Sequence, residues 1–368
     1  MPGVRPFVTG DIPAVADLVW RVLHEKTGTA PLALHAYFDE LFLHNPWIEE
    51  GMQSYVYEDA QRRPIGFFGM VPRRMCLQGK PVRLAFGSNF VVDPGSRASI
   101  AAIQLVKAFI NGKQDISITD SANENSRKML RSMGFQVVPI YSLLWARPLR
   151  PTRYAWHGVA RLKKSKVVAT IGSIVGPLCS VADALASRLA QSPLRQTQPS
   201  TKGEELSPAA LLTCLRTIPS RQLLLPDYDE DTLRWMLDFV TKRNAFGHVR
   251  RILVRDDSTK IIGWFLYYAA LGQVGEVIQL GAESSSIGKV LDHLFYDAWK
   301  HGLIGLHGRM EPQFMQELTM KSCFFLRNGS WTLAHSRTPE MLAPLQGGNA
   351  YFSRMDGEWC LRPGTELS

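Results

Sequence analysis

The stretch Asn123 to Phe135, NENSRKMLRSMGF, is the most informative part of this sequence. Before it, Asp115 to Thr119 (DISIT) has the composition of a short strand. The run Ser126 to Met133 favours a helix, and Gly134 ends it because glycine tolerates the backbone conformation that closes a helix. Phe135 to Ile140 then resumes a strand. The predicted order is therefore strand, loop, helix, turn and strand.

Another strand and helix precede this stretch. Arg83 to Val92 (RLAFGSNFVV) is a β-branched and aromatic run, as in a strand. Asp93-Pro94-Gly95 supplies a turn, and Ala98 to Ile110 (ASIAAIQLVKAFI) carries an apolar stripe at helical spacing. A loop between a strand and a helix N-terminus offers backbone N–H groups to phosphate. The sequence thus predicts a phosphate-facing loop, and the alternative is a plain amphipathic helix after a strand.

These two pieces, in this order, resemble the GNAT superfamily of acyltransferases, and the resemblance covers about Val4 to Pro148. In that family the helix region has an Asn, a small residue three later, an apolar residue three after that, a Tyr, and Gly-Phe four residues further on. Leu130 stands where the family usually has the Tyr that protonates the leaving thiolate. The matching positions are Asn123, Ser126, Met129, Gly134 and Phe135.

The resemblance implies a binding site for acetyl-CoA or another acyl-CoA. The family loop reads Q/R-x-x-G-x-G/A; Arg97 and Ala102 match it, while Ile100 replaces the central glycine. The backbone N–H of Val91 or Val92 would hold the oxyanion of the reaction. The implied cofactor-binding residues are Val91, Val92, Arg97, Ala98, Ser99, Ile100, Ala101, Ala102, Asn123 and Ser126.

The chemistry that the resemblance implies is attack of an amine on a thioester carbonyl, in a channel between splayed strands. The splay is expected between Ser88 to Val92 and Asp115 to Thr119. Such a reaction needs a base for the amine and an acid for the thiolate. Because the pKa of a thiol is low, water can replace the missing Tyr as the acid.

Several residues are candidates for the catalytic roles. Asn123 would hydrogen-bond the pantetheine arm or an ordered water. For the base, the candidates are Asp120 at the end of its strand and Glu124 in the following loop, with His24 and Glu25 at the end of the first helix as further ones. Each of these four is alternatively a helix-cap or surface residue.

A second copy of the pattern starts after the middle of the chain. The hairpin Ile252 to Phe265 repeats the hairpin Tyr55 to Phe68, with Ile-Gly before two aromatic residues in both. A strand, helix, strand and helix follow, up to Phe324. The loop Glu283 to Gly288 (ESSSIG) has no basic residue and carries an acid, which would repel phosphate. This predicts a degenerate second domain that is structural or acceptor-binding.

Length and composition agree with two domains. A chain of 368 residues exceeds what one core usually holds, and 45% hydrophobic with 20% charged residues is ordinary for a soluble globular protein. The predicted class is α/β (α+β), with two tandem GNAT-like domains, each a mixed, mostly antiparallel sheet flanked by helices. The predicted boundaries are 1–150 for the domain with the acyl-CoA site, 151–208 for a basic and apolar helical linker, and 209–368 for the degenerate domain.

Cysteine and histidine usage predicts neither a disulfide framework nor a metal site. The five cysteines are scattered without close pairs, and the nine histidines show no zinc-like spacing against them. The start MPGVRPFV has neither a basic nor an apolar signal-peptide region, so a cytoplasmic location is expected.

The net charge of +9 is unevenly placed. Seven cations lie between Arg147 and Lys166, without an acid, and Val167 to Ala182 then carries no charge. That apolar run is shorter than the roughly 20 residues that span a bilayer. The region 147–189 is therefore either an inter-domain helix or a peripheral contact with the anionic inner face of a membrane. No nucleic acid is expected, since no recognised module accompanies the cations.

Two functions remain open from the sequence. The first is an N-acyltransferase that uses acetyl-CoA or a longer acyl donor and an amine acceptor, and the register of Asn123 and the match at Arg97 favour it. The second is a catalytically inactive GNAT-fold binding or scaffold protein of a biosynthetic complex or membrane surface. The departures at Ile100, Leu130 and Glu283 favour this alternative.

Overall fold

A computed structural model describes two compact units, each built around one β-sheet. The described residues are 2–95, 98–162, 195–218, 222–242, 246–327 and 329–361. The first unit comprises Met1–Ser142, Arg221–Ala245 and Gly329–Ser368, and the second comprises Leu143–Ser220 and Phe246–Asn328.

Fifteen strands lie in the described part of the chain, and most of them pair antiparallel. They are β1 (Gly3–Pro6), β2 (Tyr55–Glu58), β3 (Pro64–Leu77), β4 (Lys80–Val92), β5 (Ile116–Ala122), β6 (Gln136–Val137), β7 (Leu144–Pro148), β8 (Lys202–Glu205), β9 (Leu224–Pro226), β10 (His248–Arg255), β11 (Ile261–Ala269), β12 (Val274–Ala282), β13 (Gly305–Arg309), β14 (Phe324–Leu326) and β15 (Trp331–His335).

Eleven α-helices accompany these strands in the described ranges. They are α1 (Ile12–Val22), α2 (Leu32–Phe42), α3 (Ala98–Ile110), α4 (Glu124–Ser132), α5 (Pro151–Leu162), α6 (Pro208–Thr217), α7 (Glu230–Thr241), α8 (Ile287–Lys300), α9 (Met315–Met320), α10 (Ala343–Gln346) and α11 (Glu358–Leu361).

The two sheets have the same strand order. In the first unit it is β1-β2-β3-β4-β5-β15-β6, with β9 paired to the far end of β3; in the second unit it is β8-β10-β11-β12-β13-β7-β14. In each sheet the fourth and fifth strands of this order pair in parallel. In each, the sixth strand comes from a distant part of the chain, β15 in the first sheet and β7 in the second.

The core of the first unit lies on both faces of its sheet. Successive residues of a strand point to opposite faces, so Phe67 and Phe68 enter different clusters. Phe67 packs with apolar residues of α1 and α2, such as Val15 and Phe38. Phe68 packs with apolar residues of α3, such as Phe109. The sheet is therefore covered by α1 and α2 on one face and by α3 on the other.

The predicted fold class is confirmed: the architecture is mixed α/β, with sheets flanked by helices and no closed barrel among the described residues. The hairpin of β2 and β3, the order β4, α3, β5, α4 and the helix Ile287–Lys300 all occur as the sequence predicts.

The compact units do not follow the boundaries 1–150, 151–208 and 209–368. Residues 329–361 pack in the first unit because β15 pairs with β5, and Leu144–Pro148 pairs with β13 of the second unit. Within the expected linker, Lys202–Glu205 is an edge strand that pairs with Ile252–Arg255. Its Lys-Gly-Glu-Glu sequence carries no apolar alternation, which is why it reads as a linker.

The basic and apolar region 147–189 is described only in part. Its first residues form the end of β7 and helix α5, and 163–194 lie outside the described residues. None of the helices in the described ranges is long and apolar enough to cross a membrane.

Candidate functional site

The first unit contains a cavity of about 380 Å³ between β4 and β5. It is lined by residues of both strands, of the end of α1, of α4 and of α11. The lining residues are Leu23, His24, Phe68, Gly87, Ser88, Asn89, Phe90, Thr119, Ser121, Ala122, Asn123, Ser126, Leu130 and Glu358.

The cavity exists because β4 and β5 stop pairing halfway along their length. They pair in parallel only from Leu84 to Phe86 on β4 and from Ile116 to Ile118 on β5. Beyond this point β5 continues to pair with β15, while β4 stays with β3. The splay predicted between these strands is therefore present, and on β5 it begins at Thr119, where the predicted segment Asp115 to Thr119 ends.

A β-bulge shapes the wall of the cavity on β4. The register shifts there so that Phe67 pairs with Val91 but Gly69 pairs with Ser88. Within this bulge Asn89 has φ of 51°, a left-handed conformation that is uncommon for a residue other than glycine. Its side-chain amide donates to the Tyr37 hydroxyl at 2.7 Å and to Ser88 Oγ at 3.0 Å. These bonds hold a strained backbone of the kind that often marks a functional site.

The cavity connects the two faces of the sheet. Phe68 and Leu130 belong to the core cluster on the α3 face. Leu23 and His24 follow the last turn of α1, which packs on the opposite face. The lining of the cavity thus includes residues from both sides of the sheet.

Glu358 brings a buried carboxylate to the cavity and was not foreseen from the sequence. It is 7% exposed, and its Oε1 accepts from Ser88 Oγ at 3.3 Å and from the backbone N–H of Asn89 at 3.4 Å. The other carboxylate oxygen accepts from the Ser121 hydroxyl. No local pattern around Glu358 signals this role, because its partners lie more than 200 residues earlier in the chain.

Asn123 and Ser126 both line the cavity, as the sequence predicts for ligand contacts. Asn123 is also the N-cap of α4: its side-chain oxygen accepts from the backbone N–H of Ser126 at 2.9 Å. The cap fixes the start of α4 against the end of β5, which places both side chains at the cavity.

The two acidic candidates Asp120 and Glu124 do not line the cavity. The Glu124 carboxylate is bound by Arg127, with Nε to Oε2 at 2.9 Å, and accepts from Trp331 Nε1 at 3.2 Å. The hydrogen bonds from Arg127 lower the pKa of Glu124 to about 2. Asp120 is buried, and its Oδ1 accepts from the backbone N–H of Glu358 at 3.0 Å. Asp120 therefore holds the residue that carries the carboxylate.

The remaining predicted donor-binding residues lie around β4 and α3. Val91 and Val92 pair with β3 and are not among the lining residues. In α3, which begins at Ala98 and continues through Ser99, Ile100 is 53% exposed, while Ala101 is buried and Ala102 is partly buried. Arg97 lies outside the described residues.

Of the two candidates after α1, His24 lines the cavity and Glu25 does not. Burial, with the charge of Lys26, lowers the pKa of His24 below its usual 6.5. The imidazole is therefore neutral at neutral pH and able to accept a proton.

Leu130, at the position of the family's Tyr, is 3% exposed and lies on the cavity wall. Its apolar side chain supplies no proton to a thiolate. No group of three or more His, Cys, Asp or Glu in the described ranges is arranged to hold a metal ion.

Comparison by sequence finds no relative: no protein-family model and no curated protein matches this chain.

Comparison by structure finds the same fold in acyltransferases of very different sequence. A conserved protein of unknown function from Enterococcus faecalis V583, titled a probable N-acyltransferase, matches with a TM-score of 0.59 and 11% identity over 93% of this chain and 74% of that one. A GCN5-related N-acetyltransferase from Anabaena variabilis ATCC 29413 matches with a TM-score of 0.57 and 11% identity, over 91% of this chain and 73% of that one. N-myristoyltransferase of Saccharomyces cerevisiae matches with a TM-score of 0.51 and 9% identity, over 90% of this chain and 79% of that one. The fold is thus that of the GCN5-related N-acetyltransferases, as the sequence resemblance predicts.

Proposed function

We propose that this protein is an N-acyltransferase that moves an acyl group from a coenzyme A thioester to an amine. The observation that carries the proposal is the cavity between the splayed strands with the bulge at Asn89 on its wall. The backbone N–H of Asn89 donates to the Glu358 carboxylate at the cavity, at 3.4 Å. Such an N–H, aimed at a thioester carbonyl, stabilises the oxyanion that forms during acyl transfer.

The proposed donor is acetyl-CoA. At about 380 Å³ the cavity lies near the lower end of the roughly 300–1,000 Å³ usual for ligand pockets. Phe68, Phe90 and Leu130 line it, so the end of the pantetheine arm with a short acyl group suits the space better than a long chain. The pyrophosphate would lie at the N-terminus of α3, with Arg97 as its proposed charged contact.

Asn123 and Ser126 are the proposed contacts to the pantetheine arm, since both side chains line the cavity. Glu124 is a poor base, because an efficient general base has a pKa near the working pH and that of Glu124 is about 2. Asp120 is instead proposed to position Glu358 through the backbone bond at 3.0 Å.

The amine acceptor is proposed to enter from the α1 face, past Leu23 and His24. The neutral imidazole of His24 does not repel a protonated amine as a histidinium would. The second unit is proposed to be a degenerate tandem copy with a structural or acceptor-binding role, which the shared strand order supports.

A second candidate function is a catalytically inactive binding or scaffold protein. Leu130 favours it, because the cavity wall offers a leucine where the family has a proton donor. The acyltransferase predicts both binding of acyl-CoA and release of thiol, whereas the inactive protein predicts that no thiol is released.

A cytoplasmic location with peripheral contact to anionic membrane through 147–189 also remains a proposal. Co-sedimentation with phosphatidylserine vesicles at low and high salt tests it, since attraction between charges at a surface fades as salt is added. Equal recovery in the supernatant at both salt levels would contradict the membrane contact.

The acyltransferase proposal is tested by thermal shift with CoA, acetyl-CoA and longer acyl-CoAs, followed by thiol release with a panel of primary amines. A ligand at 100 times its Kd stabilises the native state by about 2.7 kcal/mol. Ser126→Phe narrows the cavity and is expected to abolish the shift, whereas Asn125→Phe changes an exposed residue of the same helix and should preserve it. The absence of any shift with the wild-type protein would refute the acyltransferase proposal.

A further inference from the structure

Among the described residues that line the cavity, Glu358 is the one that carries a carboxylate. Its α11 backbone is anchored by Asp120 at 3.0 Å, and the hydroxyl of Ser121 donates to one carboxylate oxygen. The other oxygen faces the bulge, where it accepts from Asn89 N–H and Ser88 Oγ. A buried carboxyl group is costly unless it is hydrogen-bonded, and these contacts supply hydrogen bonds to both of its oxygens.

The contacts of the two oxygens differ in a way that matters for function. The contacts to the bulge are long, at 3.4 Å from Asn89 N and 3.3 Å from Ser88 Oγ, against the 2.7–3.2 Å usual for N–H donors and shorter for O–H donors. Long hydrogen bonds are weak, so a better acceptor can displace this oxygen while Ser121 still holds the other.

We propose that Glu358 is the residue that takes the proton of the acceptor amine, and that the acyl carbonyl of the donor must first displace it from the N–H of Asn89. This inference rests on the proposed acyl transfer and adds to it the base and the order of events. The resting protein occupies its own oxyanion donor with a carboxylate, and the arriving thioester exchanges one oxygen for another at that N–H.

The step balances with groups that are present. The lone pair of the amine attacks the thioester carbonyl carbon, and the new oxyanion accepts from Asn89 N–H. Glu358 accepts one proton from the amine nitrogen as the C–N bond forms. The oxyanion collapses, the C–S bond breaks with its electron pair on sulfur, and that proton returns to the thiolate through Glu358 or water. This route for the proton needs no donor at position 130, where the cavity wall has Leu130.

In this competition the acyl carbonyl of the donor, and not the coenzyme itself, displaces Glu358 from the N–H of Asn89. CoA itself has no acyl carbonyl and does not compete for Asn89 N–H, so it binds with Glu358 still docked. Acetyl-CoA binds at the expense of that contact. Removal of the Glu358 carboxylate should therefore strengthen acetyl-CoA binding and leave CoA binding unchanged.

Calorimetry with CoA and acetyl-CoA on three proteins tests this. For Glu358→Ala, the ratio of acetyl-CoA affinity to CoA affinity is expected to rise about two- to tenfold over wild type, the value of one net hydrogen bond. Glu340→Ala, an exposed glutamate of the same unit, is the matched control and should leave the ratio at the wild-type value. An unchanged ratio in Glu358→Ala would overturn the competition.

Hydroxamate formation from acetyl-CoA and hydroxylamine, measured over the uncatalysed background, tests the base. Glu358→Gln keeps the shape and an acceptor oxygen but loses the proton-accepting charge, so kcat should fall about 10²- to 10⁴-fold while KM for acetyl-CoA stays within about twofold. Undiminished kcat in Glu358→Gln would remove Glu358 as the base and leave acyl transfer standing. No CoA or acetyl-CoA binding to the wild-type protein would instead refute the proposed function.

Both variants replace a buried side chain, so their folds need to be checked. Circular dichroism and the melting temperature decide whether Glu358→Ala retains the native state; if it does not, the affinity ratio is taken from Glu358→Gln. In that variant the amide oxygen is a weaker acceptor than the carboxylate, so the ratio should still rise, by less than in the alanine variant.

Discussion

The two sheets share one strand order but differ at the place where their parallel strands separate. In the first, β4 and β5 leave a cavity of about 380 Å³. In the second, β12 and β13 pair only from Val274 to Glu276 and from Gly305 to His307. Beyond that point Trp264 packs on Gly281 and Trp145 packs on Gly308, so closely that a β-carbon at either glycine would collide with the ring.

The two sheets also differ at the β-bulge. The register of β11 and β12 also shifts, between Leu266 and Tyr267, but no residue near this shift has the positive φ of Asn89. The second unit's loop after β12 carries Glu283, whose carboxylate pairs with Lys260 at 2.8 Å. Topology alone thus provides the split between strands. In the first unit the split borders a cavity, whereas in the second the rings of Trp264 and Trp145 cover the glycines beside it.

The largest effect expected from this contrast is on Trp145, which is 1% exposed. Trp145→Ala should lower the free energy of unfolding by about 3–5 kcal/mol, since it removes a large buried ring and leaves a cavity. Phe90→Ala, at the cavity of the first unit, should cost less because this half-buried ring already borders open space. Urea denaturation measures the free energy of unfolding of both variants. An equal decrease in the two would mean that the two rings are equally well packed.

Gly308→Ala should also be destabilising, by about 1–3 kcal/mol, because the added methyl group meets the Trp145 ring in a packed core. The matched control is Gly158→Ala within α5 of the same unit, where a β-carbon meets nothing within 4 Å. That change should stabilise by about 0.5–1 kcal/mol, as alanine is preferred to glycine in a helix. If the two variants shift the melting temperature in the same direction, that result would contradict close packing of Trp145 on Gly308.

Tyr37→Phe should cost about 1–3 kcal/mol, since it removes the hydroxyl that accepts from the buried amide of Asn89 at 2.7 Å. Asn89→Gly permits the same positive φ but also loses this bond. The double variant should therefore cost less than the sum of the single ones, as expected for residues in direct contact. Strict additivity in a double-mutant cycle would separate Tyr37 from the bulge.

The smallest effect concerns two histidines, one in each unit. Burial lowers the pKa of both His24 and His293 below 6.5. Because the folded protein then binds fewer protons than the unfolded chain, stability is full above about pH 6.5 and falls as the pH drops through the folded pKa values. Imidazole signals in an NMR titration should give midpoints below 6.5 for both.

The same spectra sharpen the comparison between the units. Acetyl-CoA should shift the signals of His24, which lines the cavity, and leave those of His293, which contacts Thr201 Oγ1 at 2.7 Å, in place. A titration midpoint above 6.5 for His24 would contradict the effect of its burial. A ligand shift at His293 alone would contradict the assignment of the site to the first unit.

The sequence by itself determined several of the elements and their order. Local periodicity fixes strands such as β2 and β3 and helices such as Ile287–Lys300. The Asn123 to Phe135 stretch predicts a helix that ends before Gly134, as in the structure, although the helix begins at Glu124 and not at Ser126. These features depend on residues within one or two turns of each other, so a linear pattern contains them. The fold class and two cavity-lining residues, Asn123 and Ser126, follow from it.

Only the tertiary structure decided which segments complete each sheet and which side chains meet in the cavity. β15 pairs with β5, and Glu358 meets Ser88 and Ser121, across more than 200 residues of chain. β7 likewise pairs with β13 far along the chain. Edge-to-edge pairing and a hydrogen bond at a bulge leave no periodic trace in the sequence, because they depend on where distant backbone atoms come to lie. The sequence alone therefore did not predict that the carboxylate of Glu358 lies at the candidate site.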